Sequence, residues 1–157
     1  MGIATTVKYY LESHNVEYET IPHPHTGSSM ETAEAAHISG NQLAKSLILK
    51  DDKGYVMAVL PASHHLDIGH LCGLLHRDLK MADEAELVDL FSDCEPGAIP
   101  PLGEAYHIDT ALEQSLTRSP DIYLEAGDHN EVIHLEGKCF QQLQGKARRG
   151  TFSHHIG

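Results

Sequence analysis

The stretch Gly97-Ala98-Ile99-Pro100-Pro101-Leu102-Gly103 carries the residue types of a main-chain binding loop. Its two prolines have no amide proton and hold φ in a narrow range. The glycines at either end let another molecule come close to the backbone. Amides fixed in such a loop and aimed at a carbonyl oxygen stabilise the oxyanion of ester hydrolysis without a side-chain acid. Residue types alone also fit a rigid connector between a helix and a strand.

Lys45 stands just before the apolar strand segment Ser46-Leu47-Ile48-Leu49. From a strand entrance an ammonium can reach a pocket mouth and hold a phosphate or carbonyl as a point charge. Taken singly, a solvated surface lysine is the simpler reading. Cys94 lies three residues before Gly97, but no basic neighbour or helix N-terminus is evident to lower its pKa. It reads as a small residue closing a helix, so thiol alkylation should leave activity intact. Among the 13 histidines, His23, His25, His64, His65 and His129 offer imidazoles for a zinc hydrolase. No HExxH or comparable spacing joins them, so neither a metal nor a cofactor is expected. Asp109 reads first as the N-cap of a helix.

The elements that must position these groups follow from periodicity and caps. Residues 3–14 place Ile3, Val7, Tyr10 and Leu11 on one helical face. Residues 16–21 alternate as a half-buried strand, and residues 22–29 form a loop. Ser28/Glu31 and Asp83/Glu86 have capping-box spacing, which predicts helices over 30–38 and up to Phe91, and Asp67 can cap a helix through Leu75. Two hairpins are expected: 47–49 with 55–61 across Asp51–Gly54, and 122–126 with 131–135 across Gly127–Asn130. Residues 78–82 and 106–108 read as short strands. A helix from Asp109 runs to Leu116, another spans about 137–143, and the tail from about 146 is polar and frayed. Strands arriving largely as hairpins among helices predict an α+β fold with a mixed or antiparallel curved sheet, in one domain over residues 1–157.

Composition narrows the class. No apolar run approaches the roughly 20 residues of a bilayer-spanning helix, and the first residues do not read as a secretory signal. Three scattered cysteines, Cys72, Cys94 and Cys139, with no CxxC pair, read as free thiols of the cytoplasm. A net charge of −12 argues against a protein that holds nucleic acid mainly by neutralising phosphates, though not against one that grips only an RNA end.

The chain resembles the YbaK/ProX editing-deacylase family, whose domain is also found inserted in bacterial prolyl-tRNA synthetases. The resemblance rests on His23-Pro24, Thr32 to Ala36, Ala44 to Leu49, Val59 to Ala62, Gly97 to Gly103, Asp109 and Ala126 to His129, in that order. It implies a curved, barrel-like mixed sheet with surrounding helices, and hydrolysis of the ester of mischarged tRNA. Lys45 matches the family's key polar residue, and Gly97 the glycine that places backbone groups at the substrate carbonyl. No protein nucleophile or metal is implied; a positioned water and the terminal ribose hydroxyl complete the reaction. Ala62, Ala98, Ile99, Pro100, Pro101, Asp109 and His129 are the accompanying substrate-binding candidates, the small alanines limiting the acyl side chain. The partners implied are the acceptor end of aminoacyl-tRNA and an aminoacyl-tRNA synthetase, with no membrane or DNA. A non-catalytic binding module of the same fold is the alternative, with a histidine-ligated metal hydrolase behind it.

Overall fold

The computed structural model describes residues 3–156. Helix α1 (Thr5–Ser13) leads into β1 (Glu19–Pro22), and α2 (Ser29–Ala35) into the long hairpin of β2 (Leu43–Asp51) and β3 (Gly54–Pro61). There follow β4 (His64–Leu66), α3 (Ile68–Leu75), β5 (Lys80–Met81) and α4 (Glu84–Leu90). After two 3-10 turns come β6 (Asp109–Glu113), a further 3-10 turn, and the hairpin β7 (Asp121–Glu125) and β8 (Glu131–Glu136). Helix α5 (Gly137–Gln144), β9 (Arg148–Gly150) and β10 (Ser153–His155) complete the chain.

The main sheet runs β1-β8-β7-β2-β3-β6-β9, with β5 on β2, while β10 pairs β4 separately. It is mixed, as expected: β2 is antiparallel to β3 but parallel to β7, and β3–β6 and β6–β9 are parallel. Strand β3 reads as a continuous apolar run because both its faces are covered. Met57 and Val59 join one core with α1 and α5, and Val56, Ala58 and Leu60 join a second core beneath α3. Among the described residues no helix is long and apolar enough to cross a membrane.

Three of the four expected caps form. Asp83 and Glu86 close a reciprocal capping box, and the Asp67 carboxylate accepts the His70 amide at 3.0 Å. Ser28 Oγ accepts the Glu31 amide at 3.2 Å, but the Glu31 carboxylate takes the Gly27 amide rather than that of Ser28. The structure differs from the sequence reading in three places. The first strand lies at Glu19–Pro22, nearer the loop than 16–21. Residues 103–106 form a 3-10 turn, and Asp109 begins a strand instead of capping a helix, because Ala111 and Leu112 are fully buried between β3 and β9. The tail is paired rather than frayed: β9 extends the sheet, β10 pairs β4, and Phe152 is fully buried in the second core.

Candidate active site

Strand β2 has one edge fully paired to β3. Its other edge meets β7 only at Leu43–Ala44 and β5 only at Leu49–Lys50. Between them Lys45 to Ile48 lie along a gap in the sheet, and a cavity of about 330 Å³ opens there. Lys45 and Ala62 line it from the hairpin, Gly27 to Met30 from the start of α2, and Pro96, Gly97 and Ile99 from the loop facing β2. The Lys45 ammonium makes one long contact, 3.4 Å to the Ala62 carbonyl, and no carboxylate pairs with it among the described residues. Burial lowers its pKa from the ordinary lysine value. An under-partnered cation at a cavity wall is disposed to take a ligand oxygen.

The loop opposite is pinned along its length. Ser46 Oγ donates to the Ile99 carbonyl at 2.7 Å, bolting the loop to β2. The Glu95 amide donates to Gly127 O at 2.7 Å, and Gln144 Nε2 to Pro101 O at 2.8 Å. The amide of Ala98 is taken by Glu95 and that of Leu102 by Pro100. Those of Gly97 and Ile99 have no acceptor among the described residues, and both residues line the cavity. Two open donors on a fixed loop are the kind of groups from which an oxyanion site is built. Glycine at 97 also has a steric reason: a Cβ there would stand 2.9 Å from His129 Nε2, so a larger residue requires the loop or the ring to shift.

The structure thus brings Lys45, Ala62, Gly97 and Ile99 to one cavity. Ala98, Pro100 and Pro101 are buried behind it as the loop's frame. His129, at φ 59° in the β7–β8 turn, backs Gly97 rather than lining the cavity, and burial lowers its pKa. Asp109 is remote. It sits with Arg77 at 3.5 Å in a second cleft of about 670 Å³ at the far end of β3. That cleft is larger; within it Arg77 forks onto Asp51 at 2.6 and 2.8 Å and Tyr10 donates to Glu104, while Lys146 and Arg148 line it without a carboxylate partner among the described residues. Sequence reasoning missed Ser46, whose serine type gave no signal, and the apolar rim of Met30, Met81 and Ile156, each 40–46% exposed. No three histidine, cysteine or acidic residues are grouped to hold a metal ion among the described residues. Burial pushes the Cys94 thiol up to about 12, the opposite of an activated nucleophile.

The aminoacyl-tRNA editing domain family matches residues 23–143. No curated protein matches the chain in sequence. Among solved structures, a candidate trans-editing enzyme for prolyl tRNA synthetase is 23% identical, with a TM-score of 0.82 over 98% of this chain and 97% of that one. The hypothetical protein APE2540 is 20% identical, with a TM-score of 0.83 over 95% and 99%. A candidate signal transduction protein from Marinobacter aquaeolei VT8 is 23% identical, with a TM-score of 0.75; the match covers 94% of this chain and 30% of that protein.

Proposed function

This chain belongs to the aminoacyl-tRNA editing domain family, and on that premise we propose that it is a metal-independent deacylase of mischarged tRNA, of the YbaK/ProX type. The observation that carries the reading is the single cavity shared by Lys45 and the open amides of Gly97 and Ile99. Water adds to the ester carbonyl, and the oxyanion accepts hydrogen bonds from those two amides. Collapse breaks the bond to the terminal ribose oxygen, which takes the proton, releasing amino acid and tRNA. The Lys45 ammonium anchors the terminal phosphate or the substrate's polar groups. An aminoacyl ester is already activated, so positioning and oxyanion stabilisation of a few kcal/mol suffice. The same reading carries a barrel-like curved sheet, one domain over residues 1–157, a cytoplasmic location and reliance on a synthetase for tRNA choice.

The test is hydrolysis of alanyl-, cysteinyl- and seryl-tRNA by wild type and Lys45→Ala. Wild type should clear at least one, and the variant should lose about a hundredfold or more of that activity while keeping its thermal transition. A variant as active as wild type overturns the mechanism. A wild type inert on every ester leaves a binding module.

A further inference from the structure

The wall of the cavity nearest Lys45 is completed from outside the family match, which ends at residue 143. Strand β10 carries Ile156 to the rim, and the means of delivery are built in depth. Phe152 is fully buried among Leu49, Leu60 and Leu71. The Glu113 carboxylate, itself buried, accepts from the Phe152 amide at 3.0 Å, the Ser153 amide at 2.9 Å and Ser153 Oγ at 2.6 Å. Next, β10 pairs β4 across Ser153–Leu66, His154–His65 and His155–His64. Finally the Ile156 amide donates to Ser63 O at 2.8 Å. Ser63 follows Ala62, whose carbonyl receives the Lys45 ammonium. The strap therefore sets an isoleucine beside the corner at which the cation is held.

We propose that Ile156 bounds the acyl pocket of the deacylase and so determines which amino-acid side chain is accepted; this rests on the editing reading above. Its neighbours on the rim, Met30 and Met81, are unbranched and can move aside. The isoleucine is β-branched and stiff, and it hangs from a strand fixed at both ends of its pairing. A stiff apolar wall on the cavity that Gly97 and Ile99 also line favours short aliphatic or hydroxyl side chains and rejects longer ones. One methylene of such a pocket is worth roughly 10- to 200-fold in discrimination.

The test uses the full chain with Ile156→Ala and Ile156→Trp, and tRNA charged with alanine, serine, valine or leucine. Ile156→Ala should raise kcat/KM for the branched esters relative to alanyl ester by about tenfold, and Ile156→Trp should lower that ratio. Opposite shifts in the two variants cannot come from general loss of folding, which lowers every substrate together. Unchanged ratios in both variants, with an active wild type, overturn the proposal and leave the editing reading standing. A wild type inert on all four esters and on cysteinyl-tRNA overturns both.

Discussion

Gly97 meets two demands at once: it lines the cavity with an amide that has no acceptor among the described residues, and its missing side chain leaves room for the His129 ring. Because a Cβ would stand 2.9 Å from His129 Nε2, Gly97→Ala must displace either the loop or a buried imidazole. Overpacking of this kind costs about 1–3 kcal/mol. The same displacement moves the two open amides, so kcat should fall by about tenfold or more. In a His129→Ala background the stability cost of Gly97→Ala should shrink, and a double-mutant cycle by denaturant unfolding reads that coupling. Equal costs in both backgrounds would show that the clash is not the cause. Glu125 offers a second prediction. Its carboxylate is 1% exposed, beside Asp128, with both oxygens lacking a bond of ordinary length and the hydroxyls of Ser29 and Thr32 as the nearest donors. Burial first, then Asp128, pushes its pKa up to about 7. An acid whose folded pKa is raised binds more protons folded than unfolded, so it costs stability as pH rises from about 4.5 through 7. Glu125→Gln should therefore be more stable than wild type at about pH 8, on the order of 2 kcal/mol, and the gain should vanish near pH 4.5.

Elements whose signals are local were legible, and those fixed by distant partners were not. Asp83/Glu86, Ser28 and Asp67 announced their helices because a cap bonds within three residues. Both hairpins were legible because their strands flank short turns. The Gly97 loop stood out because proline and glycine constrain any fold alike. By contrast, β6 looked helical after Asp109; its strand state comes from parallel pairing with β3 and β9, which no local pattern encodes. The C-terminal strap was hidden for the same reason: its partner, β4, lies almost 90 residues earlier. Nor did the histidine count announce its uses. His37, His76, His107 and His129 all adopt positive φ of 54–59°, a backbone region in which histidine is enriched. Four more face each other across the strap, His64 with His155 and His65 with His154, at 5.8 Å between ring centres. His64 is bonded to Ser153 Oγ at 2.8 Å and has its pKa lowered, chiefly by burial. The charges around it are Glu113, which opposes the shift, and His155, His154 and Lys45, which add to it. A base with a lowered folded pKa stabilises fully above its unfolded value of about 6.5 and loses that contribution as pH falls below it. Amide-exchange protection of residues 153–155, normalised to β3, should fall from about pH 7 to 5.5, and His64→Gln should flatten that dependence. Protection that is constant with pH in wild type would remove His64 from the strap's control.

At the scale of the whole molecule, charge and proposed substrate pull apart. The chain carries −12 at neutral pH, and tRNA is a polyanion. A protein that neutralises six to ten phosphates loses roughly 10³–10⁵ in affinity between about 50 and 200 mM salt, through counterion release. This molecule has few cations to release ions with. Of its 11 lysines and arginines, Arg77 is locked to Asp51 and Lys50 to Glu86. Lys146, Arg148 and Arg149 are the only three that fall within four consecutive residues. In the proposed reading the cavity at β2 grips by one ammonium and main-chain amides, which are neutral donors and largely insensitive to salt. Repulsion between the acidic surface and the tRNA body, meanwhile, is screened as the Debye length shortens. Over that salt range kcat/KM for a mischarged tRNA should therefore fall by less than about tenfold, or rise. A short aminoacylated mimic of the acceptor end, with few phosphates, should respond still less. If the full tRNA instead shows the steep loss of a phosphate-neutralising protein, the segment 146–149 is the place to look, and Lys146→Ala with Arg148→Ala should then reduce the slope. A shallow slope that those substitutions leave untouched places recognition in the cavity and not in the field of the protein.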